Sequence, residues 1–168
     1  SGEFDSEIPY TSPTSMIFDS KNYALDSIEG AGNKITSDAS QNIVRVHYSL
    51  DEKSTDPKDP EKPDEVPDKY QRKVSYEAIN GTVDIAYTYV TLFKDGKWNE
   101  NGTGYLVDAQ IASATASQGY SAGDPLWSPK TPATDIAISS DMHFVATFIK
   151  GEYDYTIEYV FDGVVDTD

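Results

Sequence analysis

Few side chains in this sequence have the types and spacing that chemistry requires. The two histidines, His47 and His143, both fall in stretches that alternate like strands, and neither has a cysteine or the other histidine close in sequence. A general base or a metal ligand needs convergent partners within reach, and no spacing here supplies them. A solvated strand position is the expectation for both. The letters GxSxG occur once, at Gly119-Tyr120-Ser121-Ala122-Gly123, but in a proline-bearing loop stretch rather than the strand-to-helix turn of a nucleophile elbow, and no glycine-rich phosphate loop occurs. Asp51, Glu52, Asp56 and Asp59 offer the hard oxygens that calcium takes. Their spacing nevertheless lacks the central glycine and terminal glutamate of a twelve-residue calcium loop, so solvated charge is the expected role. No catalytic residue, metal or cofactor is assigned, and the expectation is a protein that is not an enzyme.

Trp98, Tyr120 and Trp127 are the residues best suited to bind something, because an aromatic face stacks on sugars and on protein surfaces alike. Tryptophans beside proline-rich loops also serve as small-core anchors. Packing is the plainer role for these three, and a ligand platform is the alternative.

Composition limits the partners. The 168 residues carry a formal net charge of −16, which excludes a phosphate-neutralising groove and disfavours an anionic membrane surface. There is no cysteine, so disulfides and thiolate metal sites are out of reach. Only 38% of the chain is hydrophobic, and tyrosine dominates the aromatics with twelve residues against two tryptophans. Tyrosine suits half-buried strand faces, where the ring packs and the hydroxyl stays wet.

The elements that must position these residues fall on either side of Asp51 to Lys69, DEKSTDPKDPEKPDEVPDK. Four prolines fix φ and remove amide donors there, and the charges favour solvation, which predicts an extended spacer of up to roughly 60 Å. Before it lies a body of about fifty residues with two or three strands. Its clearest strand runs from Ile43 to Leu50, with Val44, Val46 and Tyr48 on one face and Arg45, His47 and Ser49 on the other. After it, Val74, Tyr76 and Ala78 mark a strand ending at Asn80-Gly81, a positive-φ turn signal. Ile85 to Phe93 predicts a strand covered on both faces. Asp108 to Ser117 is alanine-rich with Asp108 as a helix cap, which predicts one short helix. A proline-bearing loop from Gln118 to Pro132 and a strand with Phe144, Ala146 and Phe148 on one face complete a small α+β unit. At the end, Tyr153, Tyr155, Ile157, Tyr159 and Phe161 alternate with polar residues before an Asp162-Gly163 turn. A strand of that kind, alone, exposes an apolar face and a free edge.

These pieces carry a resemblance. Tyr23 to Leu50 resembles the C-terminal half of a MucBP-type repeat, found in tandem on surface adhesins of Gram-positive bacteria, and YTIEYVFDGVVDTD, Tyr155 to Asp168, resembles the opening strand and turn of the same repeat. VPDKYQ, Val66 to Gln71, with VSYEAINGTVD, DGKW, QGY and WSPKTP, resembles the Listeria-type B repeats that accompany such units. The resemblance implies two small β-grasp-like modules: a partial one over 1–50, a spacer over 51–69, a complete one over 70–152 and an opening strand over 153–168. It implies an extracellular, cell-wall-anchored adhesin segment acting as a stalk, or alternatively a module that binds mucin, host glycan or host protein. Adjacent repeats are the implied neighbours, with no nucleic acid and no direct membrane contact. Lys73 and Lys150, at predicted strand ends, are candidates for the lysine to asparagine isopeptide links that some such modules carry. Asn80-Gly81-Thr82 and Asn101-Gly102-Thr103 match glycosylation sequons but read first as turns. Because the first unit lacks an opening strand, Tyr153 to Phe161 is expected to insert beside Ile43 to Leu50, within one molecule or head-to-tail between molecules.

Overall fold

Period-2 alternation becomes sheet almost throughout. The computed structural model describes residues 1–162 and 164–165, with Phe161, Val164 and Val165 described by their backbone alone. In chain order the strands are β1 Ser15–Phe18, β2 Lys21–Glu29, β3 Arg45–Leu50, β4 Gln71–Ile79, β5 Gly81–Val83, β6 Tyr87–Thr91, β7 Phe93–Lys94, β8 Lys97–Trp98, β9 Ala114–Ala116, β10 Tyr120–Ser128, β11 Met142–Lys150, β12 Val160–Phe161 and β13 Val164–Val165. The protein is β-rich, and among the described residues the helical segments are short 3-10 turns.

The first body is an antiparallel meander, β1-β2-β3, joined at β1–β2 by Asp19 and Ser20, both at positive φ. Its core is slight. Ala24 is fully buried, whereas Met16, Ile17 and Phe18 stand open to solvent. The second body is a mixed sheet in the order β10-β11-β4-β6, in which the parallel pair β4 and β11 is flanked by two antiparallel strands. Val74, Tyr76, Phe144, Ala146 and Phe148 alternate along β4 and β11 as their spacing predicts, and all are buried. Leu106, Ala112, Ile136 and Ile138 close over them from the loops. Tyr76 stacks on Phe144 with ring centroids 5.6 Å apart, and Trp127 meets Tyr76 edge-on at 6.2 Å. Both faces of β6 are covered, as its double apolar pattern requires.

Three expectations are corrected here. The helix over Asp108 to Ser117 is a single 3-10 turn, Asp108–Gln110, followed by β9. Ala114–Ala116 pairs with β5, and this pairing overrides alanine's helix preference. Gly81 permits it, since a Cβ there would lie 2.4 Å from the Thr115 carbonyl oxygen. The Gln118 to Pro132 loop contains a nine-residue strand, β10, with a register shift between Ala122 and Trp127 that takes Pro125 out of the ladder, and Pro129 follows the strand's last residue.

The largest correction is the spacer. Asp51 to Lys69 folds back on itself and lies against β6, with Asp51, Ser54 and Pro67 buried. The Ser54 amide donates to the Pro60 carbonyl at 2.8 Å, and the Thr55 carbonyl accepts from Gln110 Nε2 at 2.7 Å. Glu61 accepts from the Tyr87 hydroxyl at 2.8 Å. Like charge and proline favour extension only while carboxylates are solvated; here they find backbone amides instead.

Candidate functional site

Two places gather polar chemistry or unpartnered surface: the junction between the bodies, and the open side of the first sheet. The junction is built from aspartates. Asp51 directly follows β3 and turns inward, where its carboxylate accepts the amides of Asp64 and Glu65 at 3.1 and 2.9 Å. Asp64 in turn accepts from the Thr55 and Val66 amides and from Gln71 Nε2. Asp68 accepts the Glu52 and Lys53 amides at 2.9 and 3.1 Å. Burial pushes Asp51 and Asp64 above the usual carboxylate range; their amide partners pull them back, and repulsion within the cluster adds to the rise. The three acids act as a clasp that closes a nineteen-residue loop.

Asp26, in the middle of β2, holds the two bodies together. It accepts from Lys69 Nζ, from the Tyr70 hydroxyl at 2.6 Å and from Ser49 at 2.9 Å. Burial alone would raise its carboxyl, but these three donors outweigh burial and hold it below the ordinary value. Tyr70 packs against Trp98 with ring centroids 5.9 Å apart and planes tilted by 33°, and Trp98 lines a cleft with Leu25, Asp26, Ile28 and Val66.

The aromatic platform is therefore not assembled. Trp127 is 7% exposed and belongs to the core of the second body, Tyr120 is half-buried at its edge, and Trp98 belongs to the junction. The histidines lie on strands: His47 Nε2 faces Glu29 at 3.4 Å, and His143 contacts Ser75 at 2.9 Å and Glu77 at 3.3 Å. Among the described residues no group of three His, Cys, Asp or Glu side chains is placed to hold a metal ion. Lys73 Nζ lies 4.0 Å over the Tyr87 ring, and Asn80, at φ 60°, uses its amide on the Phe148 carbonyl.

Compared with protein-family models, curated proteins and solved structures, the chain has no significant match.

The open side of the first sheet collects the remaining candidates. Val46 and Tyr48 lie in β3, with Val44 just before it. Among the described residues β3 forms its ladder with β2 alone. Met16, Phe18, Tyr23 and Tyr48 line a shallow apolar groove on one face. The expected partner does not reach it within the chain. Residues 151–159 form no strand, and Tyr153, Tyr155, Ile157 and Tyr159 are 62 to 84% exposed. Beyond them β12 and β13 pair with each other, so the terminal turn does have a returning strand. The Phe161 side chain and Gly163 lie outside the described residues. Sequence reasoning missed Asp26 and Asp51 as structural centres. For Asp26 the signal was an acid at the strand position that alternates with the apolar Ala24 and Ile28; for Asp51 nothing in the sequence separates it from its acidic neighbours.

Proposed function

We propose that this chain is an extracellular repeat segment of a bacterial cell-surface protein and acts as a stiff stalk element. The observation that carries the reading is the junction. Two small β bodies in tandem are joined by a buried carboxylate clasp and by Asp26 reaching across to Lys69 and Tyr70, in place of a free linker. A spacer that holds a distant head away from a surface needs joints that resist bending, and charged hydrogen bonds partly shielded from water provide them. The central parallel pair formed by the first and last long strands of the second body supports its β-grasp-like reading, although a 3-10 turn stands where a helix was expected. The motifs VPDKYQ and WSPKTP support membership in a tandem array. With Trp127 in the core, no observation favours the glycan-binding alternative.

Small-angle scattering and amide relaxation on the wild-type chain and an Asp26→Ala variant test this. The expected wild-type result is one rigid elongated particle with a common tumbling time, and the variant should show two bodies reorienting separately. Independent tumbling of the two bodies in the wild type would remove the basis for a stalk.

A further inference from the structure

We infer that β3 accepts the Tyr153–Phe161 segment of a second copy of this chain, giving head-to-tail association. The argument begins with reach. β4 and β11 are parallel, so both start at the junction and both end at the opposite pole. Asp141, just before β11, accepts the Lys73 amide beside the groove formed by Leu50, Arg72 and Ser140, which fixes that start next to the first body. Nine strand residues then carry the chain roughly 30 Å away. Gly151 is pinned there by its amide on the Gly119 carbonyl. Tyr153 follows Lys150 by three residues, a span of roughly 10 Å at most. Tyr153 therefore stops roughly 20 Å short of the junction, so Tyr153 to Phe161 cannot lie along the whole of its own β3, whereas at the opposite pole it is free to meet the β3 of another molecule.

The two surfaces match in pattern and charge. Tyr153, Tyr155, Ile157 and Tyr159 share one face of an extended segment, and Asp154, Thr156 and Glu158 share the other. Laid beside β3, the apolar set extends the face of Val46, Tyr48 and Leu50 that already carries the groove of Met16, Phe18 and Tyr23. The acidic set then lies beside Arg45 and His47, which at present share Glu29 at 3.8 and 3.4 Å. The other free edge fits poorly. β1 has four residues, and the Glu65 carboxylate already accepts from Thr14 and Ser15 along it, so an acidic segment would be repelled. Strand addition of this kind satisfies backbone groups on both partners and buries an apolar stripe. Because donor and acceptor lie at opposite poles, the contact is heterologous and propagates as an open chain.

Sedimentation velocity over a concentration series of the full chain tests this. The expected result is a sedimentation coefficient that climbs with concentration. Ile157→Lys, which places a charge in the apolar stripe, and Arg45→Glu should each weaken association by about tenfold or more. Joining Arg45→Glu with Asp154→Lys and Glu158→Lys in one chain should restore it, because every head then meets a complementary tail. Generic stickiness of the tyrosines would show no such rescue. A chain that stays monomeric at all concentrations, association untouched by Ile157→Lys, or Arg45→Glu without recovery in the triple variant would each overturn the proposal.

Discussion

Asp51 shows how one carboxylate can change the role of a whole segment. Buried at the end of β3, it accepts two amides from a loop that returns thirteen and fourteen residues later. Asp51→Ala leaves those donors without a partner, and a stability loss of about 2 kcal/mol or more is expected in urea denaturation. Asp56→Ala, which removes only an exposed turn contact to the Lys58 amide, should stay within about 0.5 kcal/mol. Equal effects would mean that the acids of this loop are ordinary solvated charge. The same residues set a pH signature. Asp26 is held below its unfolded value of 3.8, so its contribution is present above 3.8 and is lost as pH falls through the folded value. Asp51 and Asp64 are raised above 3.8, so the folded chain binds their protons more tightly. Their penalty is absent below 3.8 and sets in as pH climbs through the folded values. Unfolding free energy should therefore rise as pH is lowered from neutrality toward 3.8 and fall below it. Asp64→Asn should flatten the upper limb, which relief of the overall charge alone would leave unchanged.

At the level of elements, the long alternating strands were legible and their neighbours were not. Val74, Tyr76 and Ala78, and Phe144, Ala146 and Phe148, declare a buried face by spacing alone, and β4 and β11 follow it. Asp108 to Ser117 misleads because alanine reports helix preference while its actual state is decided by β5, which lies some thirty residues earlier. β10 misleads because prolines punctuate the pattern, yet Pro125 occupies the bulge and leaves paired residues on both sides, and Pro129 falls just past the strand. The two tryptophans, both named as candidate platform residues, separate here. Trp127→Ala should cost about 3–5 kcal/mol, since it empties space against Tyr76 in the core. Trp98→Ala should cost about 1 kcal/mol, the scale of one half-buried aromatic pair with Tyr70, with amide shifts confined to the junction and the first sheet. Denaturation monitored by fluorescence and by amide spectra checks both. A Trp98 effect as large as that of Trp127 would place it in a core rather than at a joint.

For the molecule as a whole, the arrangement of ends matters most. The expected insertion of Tyr153 to Phe161 beside Ile43 to Leu50 within one molecule is not what the structure has, since residues 151–159 form no strand and lie exposed, apart from the first sheet. Deleting residues 152–168 should leave the amide spectra of both bodies in place while abolishing any self-association; collapse of the first body's signals would show that the segment does complete it in solution. The sequence by itself determined the β-rich class and the buried faces of the long strands, because alternation is a local property and its period can be read off the chain. Only the tertiary structure decided that the acidic, proline-rich stretch is a clasp, that Asp26 joins the bodies, and that Trp127 is core. Each of those depends on which amide, hydroxyl or ring stands within a few ångströms of a side chain, and the partner in most of them lies ten to fifty residues away.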